Sequence, residues 1–459
     1  MKIIHKNIAL FDEVIGRQQV QTEEMRPMNF VTSCEVADGR LLYNVLTREL
    51  ILLEEGEHED DKSISEYLKQ QWFLVPQSFN EIEFERQVKG VERMFTATKK
   101  PIISSFTVFT TMGCNARCYY CFEKGRIQEP MSHETAVKAA NYMIAQACGK
   151  KISIHWFGGE PLYNKDAIVT ICDIFRKQNI EFKSNVVSNG YLFDEKTVKQ
   201  AVDDWNLTFV QITLDGTQNI YNRSKAYIYK DDPNPFETVL GNIQYLLDYD
   251  VRVSIRLNVS NRNGDDLLML IDLLHDRFGE NKNLTIYSHS LFEFSSVVNL
   301  RQTEESRHNL YLKRKEIEER IAHYHLNRKK RREISNRLKL NHCMSDNNVS
   351  LTILPDGHLG KCEHYSDDHF VGHIDNEELD CLALQEHKEV LPDLEECKTC
   401  AYHPDCIRLK VCKENYVCFP EIREERIGNL HKAMKYAYEE YLNKRDTEEL
   451  EDDGTELQC

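Results

Sequence analysis

Three cysteines stand close together in the chain and carry its clearest chemical signal. Cys114, Cys118 and Cys121 are separated by three and then two residues, and they directly follow the apolar and β-branched run 106–111. Three thiolates can hold three irons of a cubane iron–sulfur cluster, which normally takes four cysteine ligands. The fourth iron would then be open to a substrate or cofactor. The alternative is a zinc site, although zinc cysteines usually come in CxxC pairs with a fourth ligand nearby.

The triplet, with aromatic Tyr120 just before its last cysteine, closely resembles the cluster motif of the radical S-adenosylmethionine (SAM) superfamily. In that family the open iron chelates the amino and carboxylate groups of SAM, and an electron from the cluster cleaves SAM to a 5′-deoxyadenosyl radical. The resemblance implies that Tyr120 is one of the cofactor-binding residues. The resemblance to this superfamily extends over residues 101–290.

Further polar or glycine-rich segments each follow a strand-like run. They are Gly158-Gly159-Glu160-Pro161, Ser188-Asn189, Asp215-Gly216, and the pair Arg256 and Asn258. Adjacent glycines let backbone approach a ligand closely, and a carboxylate accepts a charge-assisted hydrogen bond from an ammonium group. The resemblance implies that the first segment contacts the methionine amino group of SAM and the second the ribose region, while the third is a recurring turn.

The group that would bind the SAM carboxylate has three candidates. Arg256 could contact a carboxylate with two parallel hydrogen bonds, although an ion pair within the sheet is an alternative. Relatives often carry an arginine a few residues beyond the Asp-Gly turn, and here that stretch contains Arg223 and Lys225. The sequence leaves all three open.

A second group of cysteines lies in the last third of the chain and resembles the SPASM domain, which holds two auxiliary 4Fe–4S clusters. The resemblance implies Cys397, Cys400, Cys406 and Cys418 as ligands of an outer cluster, and Cys343, Cys362 and Cys412 as ligands of an inner one. The spacing departs from the family pattern at Cys412, which follows Cys406 after five residues instead of three. Seven cysteines leave two clusters one ligand short. Either Cys381 is the eighth ligand or the inner cluster has an open iron; zinc is again the competing metal.

The segment that must position these residues alternates strand and helix signals. Strand-like runs occur at 106–111, 152–157, 182–188, 208–214, 251–259 and 284–289, with helix-period stretches between them. Such alternation predicts parallel strands joined by right-handed crossovers. We therefore expect an α/β fold with a partial (β/α)6 TIM-like barrel over residues 101–300, in which ligands bind at the carboxyl ends of the strands.

The flanking regions predict other units. Residues 1–100 read as a small α+β module that loosely resembles the winged-helix peptide-recognition domain of peptide-modifying enzymes; the alternative is a cap on the barrel. Residues 301–341 read as a charged helical linker, whose basic run 328–332 could attract an acidic peptide or nucleic acid or simply face solvent. Residues 342–430 would form the SPASM domain. Residues 431–459 would form a helix and an acidic tail, disordered from 447 onward.

Bulk properties narrow the class. The net charge of −17 argues against general nucleic-acid binding. We expect no membrane partner, because no apolar run reaches membrane-spanning length. Fifteen cysteines without a signal peptide indicate metal or redox use in a reducing cytoplasm.

The sequence thus predicts an enzyme, a radical SAM/SPASM maturase that cross-links a ribosomally made precursor peptide. It would use SAM and three 4Fe–4S clusters, a leader sequence on the peptide, and a reductant such as flavodoxin or ferredoxin. The cofactor carries the chemistry, so no catalytic side chain is named. A thioether is the first choice because of the possible open iron. Carbon–carbon or carbon–oxygen cross-linking, sulfatase-type formylglycine formation, and a non-catalytic iron–sulfur or zinc scaffold are the alternatives.

Overall fold

The structure is a computed structural model of the 459-residue chain. It describes residues 1–18, 24–96, 102–121, 123, 128–291, 303–327, 333–340, 343–364, 369–376, 378–412 and 418–453. The basic run 328–332 lies outside the described residues. So does the last part of the acidic tail, from 454.

Fifteen strands and eleven α-helices can be assigned in the described part of the chain. The strands are β1 (Lys2–His5), β2 (Met25–Pro27), β3 (Val31–Val36), β4 (Gly39–Asn44), β5 (Leu50–Glu54), β6 (Leu74–Pro76), β7 (Ser105–Thr111), β8 (Ile152–Gly158), β9 (Phe182–Ser188), β10 (Leu207–Leu214), β11 (Arg252–Val259), β12 (Leu284–Ser290), β13 (Ser350–Ile353), β14 (His358–Gly360) and β15 (Gly372–His373). The helices are α1 (Lys62–Gln70), α2 (Glu81–Thr96), α3 (His133–Ala147), α4 (Lys165–Lys177), α5 (Glu195–Trp205), α6 (Gln218–Lys225), α7 (Pro235–Asp248), α8 (Gly264–Phe278), α9 (Glu304–His323), α10 (Cys381–Glu386) and α11 (Pro420–Asp453).

The N-terminal region contains a four-stranded antiparallel sheet in the order β1-β5-β4-β3. Its strands are apolar on both faces, which requires cover on both sides. On one face Leu41 and Tyr43 pack against Met434 of α11. On the other, Leu42 packs against Leu68 of α1. The last helix of the chain therefore completes the core of its first sheet.

The central sheet begins with the six parallel strands β7 to β12, hydrogen-bonded in chain order. Each strand alternates between two faces, as in any pleated strand. Residues such as Trp156, Ile212 and Ile255 are fully buried in the main core with the helices. Their neighbours His155 and Arg256 lie on the opposite, more polar face. The carboxyl ends of all six strands meet at one edge, as the alternation of elements predicted.

Several features depart from the sequence-based expectation. Strand β13 pairs in parallel with β7 and, with β14 and β15, extends the central sheet to nine strands. Helix α6 was not predicted. Helix α9 ends at His323 and buries Ile317 and Ile321 in the main core, and the described residues 333–340 are not helical. Helix α11 continues to Asp453, past residue 447, from which disorder was expected; the Glu and Leu residues of this stretch favour helix.

Within the described residues, no helix has the length and apolarity needed to cross a membrane.

Candidate active site

The cysteine triplet lies in the loop that follows β7. Burial, with smaller contributions from Glu160 and the other two cysteines, raises the pKa of Cys114 to about 12. Burial likewise raises the pKa of Cys118 and of Cys121. Three buried thiols close enough to oppose one another's ionisation are poor thiolates on their own. A bound metal cation removes that penalty, so the donor set fits an iron–sulfur cluster.

The two glycines at the end of β8 let this strand approach the cysteine loop. Gly158 has a φ of +118°, and a Cβ there would lie 2.2 Å from the carbonyl oxygen of Thr111. A Cβ at Gly159 would lie 2.4 Å from the carbonyl oxygen of Gly113. The glycines were expected to admit a ligand, and the close approach that they allow here is to protein backbone. Pro161 then begins a short 3-10 helix.

Glu160 is fully buried and joins the ends of two strands. Its carboxylate accepts hydrogen bonds from the hydroxyl of Ser188 at 2.9 Å and from the backbone N–H of Asn189 at 2.8 Å. Burial raises the pKa of Glu160 to about 7. The side-chain amide of Asn189 donates to Asn115 in the cysteine loop at 2.6 Å. The segments that follow β8 and β9 therefore form one network with the loop that carries the triplet.

A buried ion pair lies on the other side of the triplet. Lys225, at the end of α6, is 3.1 Å from the carboxylate of Asp215, which follows β10, and both side chains are almost fully buried. The hydroxyl of Tyr120 donates to Asp215 and accepts from Lys225 at 2.9 Å. Because Tyr120 stands between Cys118 and Cys121, these contacts fix the cysteine loop. The charge of Lys225 is already neutralised by its partner.

Arg256 differs from Lys225 in its partners. Its Nε donates to Asn258 at 3.0 Å, and its Nη2 lies 3.2 Å from Nδ1 of His289. Burial and the nearby guanidinium lower the pKa of His289 to about 4, so this imidazole is neutral. No carboxylate pairs with Arg256 within the described ranges, whereas Arg223 is exposed on α6. Of the three candidates for an anionic ligand, Arg256 is the one that is buried in part and carries an unneutralised charge.

The cysteines of the last third separate into two sets. Those of the first line a single cavity; they are Cys397, Cys400, Cys406 and Cys418. Those of the second interact electrostatically with one another; they are Cys343, Cys362 and Cys412. The unusual spacing before Cys412 therefore does not keep this residue away from Cys343 and Cys362, and the role of both sets as cluster ligands stays a prediction.

Cys381 belongs to neither set. It is exposed at the start of α10, where its thiol faces the carbonyl oxygen of Leu379 at 3.8 Å. A further trio of donor atoms, from Asp393, Cys397 and His403, lies within 4.8 Å of one another and could hold a single metal ion. It shares Cys397 with the first set, so metal analysis must separate a zinc site from a cluster.

Two kinds of site residue could not be found by motif. Asn263 donates from its side-chain amide to the carbonyl oxygens of Asp215 and Asn258, both at 2.9 Å, and supports the ends of two strands. Arg426 donates to the thiol of Cys406 at 3.0 Å. Neither residue lies in a recurring pattern, and a long-range side-chain contact leaves no signal in one sequence.

The cysteine loop thus lies at the carboxyl edge of a parallel sheet and is linked to the buried Glu160 through Asn189, while Arg256 lies on the polar face of β11. Residues 108–274 match the sequence model of the radical SAM superfamily. The chain therefore contains a radical SAM domain, and that family implies SAM and a 4Fe–4S cluster.

Individual proteins give weaker likenesses. The radical SAM cyclopropyl synthase TigE of Paramaledivibacter caminithermalis is 23% identical over 290 residues, which are 56% of this chain and 58% of that protein. The match thus spans little more than half of that relative's length. The structure of anSMEcpe with bound AdoMet superimposes with a TM-score of 0.53 at 17% identity, over 74% of this chain and 99% of that one. The structure of Streptococcus suis SuiB bound to S-adenosylmethionine superimposes with a TM-score of 0.49 at 14% identity, over 86% of this chain and 100% of that one.

Proposed function

We propose that this protein is a radical SAM enzyme that installs a cross-link, first choice a thioether, in a ribosomally made precursor peptide. The observation that carries the proposal is the arrangement of the triplet, Glu160 and Arg256 at one edge of the sheet, in a chain that also holds two further cysteine sets. SAM has an ammonium group and a carboxylate on one carbon. Glu160 and Arg256 offer the two opposite charges that such a group requires.

The roles of the chain's own residues follow from their contacts. Cys114, Cys118 and Cys121 would hold the cluster. Glu160 would accept from the ammonium group; one of its oxygens accepts a single hydrogen bond, from Asn189, and so retains accepting capacity. Arg256 would hold the carboxylate. When bound, the cluster and SAM would supply a 5′-deoxyadenosyl radical that removes a hydrogen atom from a substrate carbon.

The N-terminal sheet offers a place for the leader of the peptide. Strand β3 is the edge of its sheet, with no strand on its outer side in the described part of the chain. A cavity beside it is lined by Val31, Ser33, Leu68 and Leu74. An extended peptide can add to such an edge through backbone hydrogen bonds while its side chains fill the pocket. Peptides are also present in structures of two neighbours, anSMEcpe with Cp18Cys peptide and SuiB with precursor peptide SuiA.

The thioether is favoured by the composition of the inner set. Cys343, Cys362 and Cys412 come together, whereas Cys381 is exposed and apart. Three ligands leave an iron on which a substrate thiolate could be held beside the reacting carbon, which is a proximity effect. Carbon–carbon bond formation is the second candidate, favoured by the name of TigE, a cyclopropyl synthase.

The test is anaerobic reconstitution followed by metal analysis and turnover. We expect about twelve irons per chain, four in each of three cubanes, and SAM cleavage when dithionite is added. A cysteine-containing peptide encoded beside this chain should lose two hydrogens, and alkylation should show that its thiol is gone. Cys118→Ala should abolish SAM cleavage. Zinc without iron would contradict the proposal. SAM cleavage with a peptide thiol that stays free would contradict its thioether form.

The role of β3 has a separate test. Leu74→Asp places a charge in the cavity and should weaken peptide binding at least tenfold, measured by fluorescence anisotropy with a labelled leader. SAM cleavage without peptide should be unchanged, because Leu74 lies far along the chain from the triplet and in another sheet. Equal leader affinity in Leu74→Asp and in the unaltered protein would exclude the cavity beside β3 as the peptide-binding site.

The electron donor that we propose is a flavodoxin or ferredoxin.

A further inference from the structure

Two arginines on one helix face the thiols of the outer cysteine set. Arg426 donates from Nη1 to the sulfur of Cys406 at 3.0 Å, and Arg423 lies with its Nη1 at 3.9 Å from the sulfur of Cys418. Both arginines line the same cavity as the four cysteines. They stand in the first two turns of α11, directly after Cys418, so they cannot move independently of that ligand.

Arg426 is also held from the side. Its guanidinium lies over the ring of Tyr402 at 5.2 Å from the centroid. Stacking of this kind orients the planar group and reduces its contact with water. Across the described residues Arg426 forms no ion pair with a carboxylate, so its charge is directed at the sulfur. The geometry is that of a fixed cation beside a metal ligand.

A fixed cation acts on the redox equilibrium of a cluster. A cubane with four thiolate ligands becomes more negative by one charge on reduction, and a hydrogen bond or positive charge at a ligand sulfur stabilises the reduced form more than the oxidised one. Hydrogen bonds to sulfur and net charge are among the factors that set cluster potentials. Two arginines should therefore make the outer cluster easier to reduce.

We propose that Arg426, assisted by Arg423, raises the reduction potential of the outer auxiliary cluster so that it can accept the electron released during cross-linking. This inference rests on the outer cluster of the proposed function. When a substrate carbon radical joins a thiol, the S–H bond breaks, the C–S bond forms, and one proton and one electron leave. The oxidised outer cluster accepts that electron and is reduced by one unit.

The experiment is a redox titration of the anaerobic, reconstituted full-length protein, followed by low-temperature EPR. The component that is missing in Cys406→Ala is assigned to the outer cluster. Arg426→Gln should lower the potential of the outer cluster by at least about 59 mV, which is a tenfold change in a one-electron reduction equilibrium. Arg423→Gln should give a smaller shift in the same direction, because its distance to sulfur is longer. Lys432→Gln removes the same charge from an exposed position on the same helix and should give no shift.

The outcomes are distinct. The inference is supported if the potential of the outer cluster falls most in Arg426→Gln, less in Arg423→Gln and not at all in Lys432→Gln. An outer cluster present at full occupancy with an unchanged potential in Arg426→Gln overturns it and leaves the proposed function standing. If Arg426→Gln loses the cluster, Arg423→Gln is the variant that decides, because it also removes a positive charge beside a ligand sulfur. An unchanged potential in that variant, with the cluster at full occupancy, overturns the inference. Absence of the outer component in the unaltered protein would instead refute the auxiliary clusters of the proposed function.

Discussion

A buried ion pair joins the N-terminal sheet to the outer cysteine loop, and its removal should be costly. Arg48, in the β4–β5 turn, pairs through both terminal nitrogens with Asp405, and each side chain is 2% exposed. Asp405 directly precedes Cys406. Replacing Asp405 by Asn keeps the shape but removes the carboxylate that pairs directly with the buried guanidinium.

The magnitude follows from what remains. Removing one member of a buried pair costs about 3–5 kcal/mol. In Asp405→Asn the cation keeps the Tyr43 hydroxyl and its electrostatic interaction with Glu92, and Lys339, formerly 3.5 Å from the carboxylate, adds repulsion. We expect the middle of the range. In Arg48→Met the carboxylate retains Lys339, which is 40% exposed, so the lower end of that range should apply.

Hydrogen exchange measured by mass spectrometry is the suitable assay, because a chain of this size need not unfold in two states. Segments 40–54 and 397–406 should exchange roughly two to four orders of magnitude faster in Asp405→Asn. The control is Arg86→Gln, which breaks the Arg86–Asp393 pair between the same regions; that arginine is 61% exposed, and the effect should stay below about 1 kcal/mol. Exchange within tenfold of the unaltered protein in Asp405→Asn would refute the reasoning.

Three further predictions concern the ligands. Arg256→Gln should weaken SAM binding roughly 10- to 150-fold, which is the equivalent of one charge-assisted contact, and should leave the iron content unchanged. Replacing the exposed Arg223 by Gln should not weaken SAM binding. Calorimetry measures the SAM affinity of both variants. Burial raises the pKa of Glu160 to about 7 in the folded chain, and only its ionised form binds an ammonium group. SAM affinity should therefore fall about tenfold per pH unit below pH 7. Glu160→Gln should remove this dependence of SAM affinity on pH. Cys381→Ala should retain all iron, whereas Cys412→Ala should lose the inner cluster, as iron analysis would show.

Much of the fold could be predicted because its elements are local patterns. The strand before Cys114 and the five that follow are runs of apolar or β-branched residues. Helix α3 begins just after Ser132, whose hydroxyl caps it by accepting from the backbone N–H of Thr135 at 3.0 Å. Strand β13 was missed because its place beside β7 is decided by pairing between residues far apart in the chain. Helix α6 was missed because it has only eight residues, and its apolar pattern is short.

The candidate site divides in the same way. Motif spacing was enough to select the triplet and Glu160, since those ligands are close together in the chain or follow successive strands. Spacing could not choose among Arg223, Lys225 and Arg256, because that choice depends on which cation already has a carboxylate partner. The pairing of Lys225 with Asp215 is a property of the folded chain alone.

The position of α11 also determines when the protein can be completed. A ribosome releases strands β1 to β5 early, but the residues that cover one face of their sheet are made much later; they are Leu430, Met434 and Tyr438. During synthesis the apolar face with Leu41 and Leu50 therefore stays open to solvent, which exposes the nascent chain to aggregation. The same delay applies to Cys418, so the outer cysteine set can be filled only after this residue has left the ribosome.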